Sequence, residues 1–339
     1  MKILRAYAAL ILAAGAPSAW GQAQPAQAPL QRVRLVAFMV DEDSSLLPYL
    51  VARDKGFFRD NGLSVEISFG LAPSQPGASR EADIGQGDVY QMSSNDVYQI
   101  EAKKPGSLKV FSLDYQDAAL GNDALLVRRR SGISSLSDLD PDKPIDILND
   151  GPACYLLLRQ LIKKAGVAPD PFWFIYSTHA PWLAGEDADS GQGDLVYAHE
   201  PNCSMLVSDG RWEVLTEGPL FAKNILSPWF VSMSCFAPEF LVREPALAQK
   251  VLVSYRQATD FIKEHPQEAR NILARDFQRM FAGAPPLALR LLHYAMSDDM
   301  DPGAVQKQSD WFLENNLSPA KIDAARLLYR VRGAVEPQP

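Results

Sequence analysis

The chain has 339 residues, of which 47% are hydrophobic and 22% charged, and its net charge of −8 makes nucleic acid and anionic membrane surfaces poor partners. A chain of this length is too long to fold around a single hydrophobic core, so two lobes are expected. The three cysteines, Cys154, Cys203 and Cys235, exclude a disulfide-rich scaffold and allow at most one internal bridge. A Cys203–Cys235 bridge and three buried free thiols both stay open.

Residues 1–21 have the pattern of a secretory signal. Lys2 and Arg5 form a short basic region, and residues 6–16 form an apolar core that is too short to span a bilayer. The alternative, a buried N-terminal helix, is disfavoured by this basic start and by the small residues that follow the core. The sequence therefore predicts export to the periplasm, followed by a Pro/Ala/Gln linker over residues 22–29.

The first part of the chain after this linker has the pattern of a βαβ unit. Residues 33–40 form an almost unbroken apolar run, which is typical of a parallel strand covered on both faces. Ser44 or Ser45 is expected to cap the next helix, and Gly56 is expected to end it in the left-handed conformation. The alternation of apolar and polar residues over 63–69 predicts a second strand.

Further along the chain, strand patterns alternate with helix patterns. Strands are predicted over residues 81–85, 108–113, 145–148, 172–176, 193–197 and 229–236. Helices are predicted over residues 88–101, 152–165 and 245–264, with further helices beginning at Pro266, Pro285, Pro302 and Ser318. An α/β fold is therefore expected.

Three stretches carry a family resemblance. The motif P-x-x-x-A-x-x-x-G-F-F-x-x-x-G-L-x-V-E, which runs from Pro48 to Glu66, resembles the opening of the solute-binding proteins that serve sulfonate, nitrate and thiamine-precursor ABC importers. The stretches over residues 81–85 and 125–139 resemble later motifs of the same family. The resemblance implies the two-lobed fold of type 2 periplasmic binding proteins. Each lobe would be a mainly parallel sheet flanked by helices, with the ligand cleft between the lobes.

The resemblance also implies how the chain is divided. Only two connections would cross between the lobes. The predicted parts are a signal peptide over 1–21, a linker over 22–29, lobe 1 over 30–120 plus 230–333, lobe 2 over 121–229, and a disordered tail over 334–339.

The candidate ligand site follows from a general rule, because open parallel sheets bind ligands outside the carboxyl ends of their strands. The helix-start serines and Asn149 have a competing role as caps, and the tryptophans have a competing role as packing residues. The predicted ligand-binding residues are Asp41, Ser44, Ser45, Gln86, Asp88, Asn149, Asp150, Cys154, Tyr155, Trp182, His199, Glu200 and Trp229.

The loop before the predicted helix at 152–165 bears on the class of ligand. The sulfonate and nitrate members of the family usually have G-S-S or a similar sequence here, and its hydroxyl and N–H groups hold an oxyanion. In this chain Pro152 removes a donor and Asp150 adds a repelling charge. A neutral or amine-bearing heterocycle, similar to a thiamine precursor, is therefore favoured over a sulfonate.

The sequence contains no convincing catalytic or metal-binding motif. The chain has no G-x-S-x-G elbow, Walker loop or dinucleotide fingerprint. The stretch from His199 to Cys203 resembles H-E-x-x-H only superficially, because Pro201 would break the required helix and Cys203 replaces the second histidine. We therefore expect no enzymatic activity, no cofactor and no metal.

The resemblance implies a monomer that captures a small organic solute and delivers it to an ABC permease in the inner membrane, without nucleic acid. Two alternatives stay open. A pyrimidine-synthesis enzyme shares this fold, but the export signal counts against it. A ligand-sensing module for a membrane receptor would bind and close in the same way.

Overall fold

The computed structural model describes residues 29–38, 44–69, 84–148, 152–170, 172–177, 193–280 and 288–330. The predicted signal peptide, nearly all of the linker, the tail and the helix start at Pro285 lie outside the described residues.

Two separate sheets organise the described part of the chain. Their strands are β1 (Gln31–Ala37), β2 (Leu63–Phe69), β3 (Val89–Ser93), β4 (Lys109–Gln116), β5 (Asp123–Arg128), β6 (Ile145–Leu148), β7 (Phe174–Ser177), β8 (Leu195–His199), β9 (Trp212–Glu217), β10 (Trp229–Phe236) and β11 (His293–Met296). The first sheet has the order β11-β4-β10-β3-β1-β2, and the second has the order β7-β6-β8-β5-β9. Among these strands the chain passes between the sheets twice, after β4 and after β9.

Helices flank both sheets. They are α1 (Leu47–Asp54), α2 (Phe57–Asp60), α3 (Ser94–Lys103), α4 (Pro152–Lys164), α5 (Asn202–Ser208), α6 (Leu220–Asn224), α7 (Pro238–Arg243), α8 (Pro245–Glu264), α9 (Pro266–Met280), α10 (Pro302–Glu314) and α11 (Ala324–Leu327). Short 3-10 turns lie at Ser44–Leu46, Leu136–Asp138 and Ser297–Asp299. The last helix begins at Ala324 and not at Ser318, because Asp323 supplies its N-cap by accepting from the Arg326 N–H.

The opening βαβ unit is confirmed. Strands β1 and β2 pair in parallel with Gln31 opposite Leu63, and Gly56 has a φ of +82°, which L side chains rarely adopt. The predicted serine cap is wrong, since Leu46 precedes α1 without a side-chain capping bond. The Ser44 hydroxyl instead accepts from the Asn122 amide, because a 3-10 turn separates it from the helix.

The helix predicted from Asp88 begins later than expected. Residues Val89–Ser93 form a buried strand between β1 and β10, and α3 starts only at Ser94. The Ser93 hydroxyl caps that helix by accepting from the Asp96 N–H at 3.1 Å. A strand with neighbours on both sides buries four consecutive residues, Val89 to Met92, whereas a surface helix would expose at least one of them.

The predicted α/β fold with two sheets is confirmed, while the strand directions are more mixed than the predicted mainly parallel sheets. Strand β1 runs parallel to β2 and β3, and β6 runs parallel to β7 and β8. Strands β5 and β10, the first after each crossing, run antiparallel to both of their neighbours. A chain that enters a sheet from the junction necessarily runs opposite to strands that end there.

Candidate functional site at the junction of the two sheets

The two crossing segments, residues 117–122 and 218–228, lie against each other. A Cβ at Gly121 would lie 2.4 Å from the Pro219 Cβ, and one at Gly218 would lie 2.1 Å from the Asp123 Oδ1. Neither distance leaves room for a side chain, so this close approach requires glycine at both positions. Strands β4, β8 and β9 end at this junction, while β5 and β10 begin there.

Polar groups from both sheets meet at Asn122. The Asn122 side-chain amide donates to the Ser44 Oγ at 2.7 Å and accepts from the Gln116 amide at 3.1 Å. The Asn122 carbonyl accepts from the Glu200 N–H at 2.7 Å, and the Ser44 carbonyl accepts from the Tyr294 hydroxyl at 2.6 Å. Two predicted site residues, Ser44 and Glu200, are therefore brought to one crossing segment.

Glu200 is fully buried and makes an ion pair across the junction. Its Oε1 accepts from the Arg290 Nη1 at 2.7 Å, and its Oε2 accepts from the Ser204 N–H at 3.0 Å. Arg290 precedes β11 of the first sheet and also donates to the exposed Glu217 at 2.6 Å. Burial raises the pKa of Glu200, although the Arg290 charge and the Ser204 bonds act in the opposite direction.

A second buried carboxylate, Asp123, begins a chain of hydrogen bonds. It accepts from the Leu220 N–H at 3.0 Å and from the Tyr197 hydroxyl at 3.1 Å, and that hydroxyl lies 2.8 Å from the His199 Nε2. Burial raises the pKa of Asp123, with the His199 charge and the Leu220 bond as the main opposing influences. Asp123 was not among the predicted site residues. Only the register of β5 against β8 would have identified it.

Asp88 lies elsewhere in the first sheet. It immediately precedes β3, its N–H donates to the Arg34 carbonyl, and its carboxylate is bonded by Arg34 and Arg243. Burial alone would raise the pKa of Asp88, but the Arg34 bonds and the Arg243 charge hold it below its ordinary value. The charge of Asp88 is therefore satisfied by arginines, and its ligand-binding role stays a prediction.

Trp229 has the surroundings of a packing residue. Its side chain is 4% exposed and stacks on Phe221 with ring centroids 4.3 Å apart, and Phe312 and Trp311 pack around it. Tyr155 is half-buried on α4, where its ring meets Phe174 edge to face. For both residues the contact with a ligand stays a prediction.

The remaining predicted site residues divide into two groups. Ser45 and Cys154 are buried, and Gln86 is exposed. The other four, which lie outside the described residues, are Asp41, Asn149, Asp150 and Trp182.

The described residues include neither a disulfide nor a cluster of potential metal ligands. All three cysteines are buried and none forms a disulfide, so the Cys203–Cys235 bridge is absent, and the Cys203 thiol instead donates to the Ala198 carbonyl at 2.9 Å. Within the described ranges, no group of three or more His, Cys, Asp or Glu side chains gathers where it could hold a metal ion. No helix among the described residues is both long and apolar enough to cross a membrane.

Solved structures share this fold. The periplasmic aliphatic sulphonate binding protein SsuA from Escherichia coli is 17% identical, with a TM-score of 0.61 over 91% of this chain and 94% of that chain. The alkanesulfonate-binding protein SsuA from Xanthomonas axonopodis pv. citri, bound to MOPS, is 16% identical, with a TM-score of 0.62 over 90% and 100%. The periplasmic nitrate-binding protein NrtA from Synechocystis is 14% identical, with a TM-score of 0.60 over 87% and 84%.

The curated proteins compared with this chain include no match. The family described as NMT1/THI5 like matches residues 43–269, which is more than half of the chain. This match confirms the resemblance drawn from the motif between Pro48 and Glu66. The chain belongs to the NMT1/THI5-like family and has the periplasmic binding protein fold.

Proposed function

We propose that this chain is the substrate-binding component of an ABC importer in the periplasm. It captures a small organic solute between two lobes and delivers it to a permease in the inner membrane. The observation that carries this proposal is the junction itself, where two crossings join two sheets and polar groups from both sheets meet at Asn122. Family membership and the shared fold support it.

The proposed lobes are residues 30–120 plus 230–333 and residues 121–229. Their strands belong to different sheets, and the chain crosses between them at the paired glycines Gly121 and Gly218. Closure would take place by rotation about these two segments, because a few residues at element ends can absorb such a change. The closed form would then dock on the permease as a monomer.

The proposed ligand is a neutral or amine-bearing heterocycle. Arg290 reaches the junction from the first sheet, and it is already bound by Glu200 and Glu217. It therefore offers little positive charge to an oxyanion. The buried carboxylate of Asp123, which was not among the predicted site residues, also lies at the junction. Its repulsion of a negative charge further disfavours an anionic ligand.

We propose binding without chemical conversion. The structural relatives named above are described as binding proteins, and the described junction contains no activated nucleophile. Cys203, which follows the junction residue Glu200 by three positions, is buried, and burial raises the pKa of its thiol well above the ordinary value, so the reactive thiolate is disfavoured.

Native mass spectrometry of protein purified from the periplasm of its own cell tests the proposal directly. We expect a mature chain that begins near Gln22 and carries a small organic molecule. Heterocycles, amines, sulfonates and carboxylates should then be screened by thermal shift. A ligand present at 100 times its dissociation constant stabilises the folded protein by about 2.7 kcal/mol, so its binding should be detected. The His199→Ala variant should lose most of this shift, while Lys321→Ala, on the exposed surface, should keep it.

Two results would contradict this function. Retention of Met1 in the cytoplasmic fraction would support the alternative of an enzyme on the same fold. Tight binding of sulfate or an alkylsulfonate, with no response to amines, would keep the binding role and refute the proposed ligand class.

A further inference from the structure

Residues 288–290 extend from the first sheet toward the second, beside the two crossings. They precede β11, which pairs with β4 in antiparallel register, with His293 opposite Tyr115. Because β4 ends at Gln116, the residues before His293 continue past the end of β4 and alongside the first crossing. The His293 Nε2 lies 3.0 Å from the Asp117 Oδ2 in that crossing. A third segment of the chain therefore lies next to the two crossings.

The backbone and a side chain of this segment both bind the part of the chain that forms the second sheet. The Ala288 carbonyl accepts from the Ser204 hydroxyl on α5 at 3.1 Å. The Arg290 Nη1 donates to the fully buried Glu200 at 2.7 Å, and the Nη2 donates to Glu217 at the end of β9 at 2.6 Å. The segment therefore belongs to the first sheet by its chain and is bonded to the second by its polar groups.

Both carboxylates that bind Arg290 lie next to a crossing. The Glu200 N–H donates to the Asn122 carbonyl in the first crossing at 2.7 Å, and Glu217 immediately precedes Gly218, where the second crossing begins. When two lobes rotate about their connections, atoms close to the axis move least. The two ion pairs of Arg290 can therefore persist while the distant parts of the lobes move.

The two crossings by themselves restrain a rotation weakly, because they touch. A Cβ at Gly121 in the first crossing would lie 2.4 Å from the Pro219 Cβ in the second. Segments that meet so closely act as a single pivot, about which one lobe could turn in several directions. In the order β11-β4-β10, the segment before β11 lies on the side of the first crossing that faces away from the second. Its contact is therefore displaced from the pivot, and a pivot with one displaced contact defines a single axis.

We propose that residues 288–290 form a third, non-covalent connection between the two lobes, in which Arg290 restricts their relative motion to one axis by holding Glu200 and Glu217. The part that concerns closure on a ligand rests on the proposed binding function. The part that concerns the connection depends only on contacts within the chain. The restraint favours ligand binding, because lobes that already have few relative orientations lose less conformational entropy when they close.

Double electron–electron resonance on the ligand-free protein measures distances between the lobes and tests the connection. One spin label is attached through Lys103→Cys on α3 and the other through Lys163→Cys on α4, since both lysines are exposed. The three native cysteines are buried, and the wild-type chain treated with the same label serves as the blank. With Arg290 in place we expect one narrow distribution of distances.

Two variants of the labelled protein weaken the connection to different extents. Glu200→Gln combined with Arg290→Met removes both ion pairs without leaving a buried charge unpaired, and the distribution should broaden about twofold as the lobes sample more orientations. Glu217→Gln removes only the exposed ion pair and should broaden it less. The matched control is Glu213→Gln, because Glu213 is also exposed on β9 but pairs with Arg129 of the same lobe. This control should leave the width unchanged.

Circular dichroism establishes that each variant is folded before its distances are compared. An unchanged width in the folded double variant would overturn the proposal, and so would equal broadening in Glu217→Gln and Glu213→Gln. If the double variant does not fold, Glu217→Gln decides alone, because its side chain is exposed and an unchanged width there would overturn the role of Arg290. Native mass spectrometry that finds no bound solute would refute the proposed function, whereas the distance distribution would still decide the connection.

Discussion

Asp123 and Glu200 are two fully buried carboxylates at the same junction, and they are stabilised in different ways. Glu200 pairs with the charged Arg290, which comes from the other sheet. Asp123 is met by the Leu220 N–H and the Tyr197 hydroxyl, with the His199 ring one hydrogen bond further away. The ion pair ties the two sheets together, whereas the neutral hydrogen bonds connect a crossing segment to the end of β8.

The difference also concerns what happens when a partner is lost. A buried charge without its counter-ion carries a large desolvation penalty, while a buried carboxylate that loses one of several neutral donors keeps the others. We therefore expect the Glu200 side of the junction to be more sensitive to substitution than the Asp123 side.

The largest effect is expected for Arg290→Met. This change leaves Glu200 buried without its cation, and the free energy of unfolding should fall by about 3–5 kcal/mol. Urea denaturation at pH 7.5 measures it. The double variant Glu200→Gln with Arg290→Met should recover much of the loss, because no uncompensated charge remains. A loss below about 1 kcal/mol in the single variant would mean that Glu200 is neutral or solvated.

Asp123→Asn should cost less, about 1–3 kcal/mol at neutral pH, because the NH₂ group that replaces one carboxylate oxygen is a donor and cannot accept from the donor that faces it. The variant should also change the pH dependence. Burial raises the folded-state pKa of Asp123 above its ordinary value of 3.8, so its contribution to stability is full below that value and is lost as pH rises through the folded-state pKa. The wild-type protein should show this decline in urea denaturation from about pH 4 upward.

The same measurement on Asp123→Asn should lack the part of the decline that belongs to Asp123. Glu200 has a raised pKa as well and contributes with the same sign, so a residual decline is expected in the variant. If the two proteins have parallel pH profiles, Asp123 does not titrate differently in the folded and unfolded states.

Tyr197→Phe should cost about 0.5–1.5 kcal/mol, the usual contribution of a neutral hydrogen bond. Asp123 keeps the Leu220 N–H, so no carboxylate is left without a donor. Thermal unfolding followed by circular dichroism measures the effect. A loss as large as that of Arg290→Met would show that the comparison between the two carboxylates is wrong.

The smallest effect is expected at the surface pair of Arg32 and Glu66, whose side chains are 66% and 51% exposed. Exposed ion pairs contribute about 0.2–1 kcal/mol, and salt screens them. Glu66→Gln should therefore lower the free energy of unfolding by no more than this, with a smaller change at high salt. A larger loss that persists in high salt would contradict the role of burial in this comparison.

Local sequence patterns determined much of the fold. The bounds of β6, β10 and α8 agree with the predicted 145–148, 229–236 and 245–264, because apolar periodicity and a proline at the helix start are local signals. The same signals failed over Val89–Ser93, which were assigned to a helix. Buried strands and buried helices both appear as apolar runs, so only the neighbours β1 and β10 decided between them.

The family, too, could be identified from the sequence, since the motif between Pro48 and Glu66 lies in one continuous stretch. The contacts at the junction could not be identified in this way. Glu200 and Arg290 are 90 residues apart, and Tyr197 meets Asp123 across 74 residues because β5 pairs with β8 in one particular register. A one-residue change of that register would turn these side chains to the opposite face, and no local pattern specifies it. Tertiary structure alone therefore decided which polar residues meet between the two sheets.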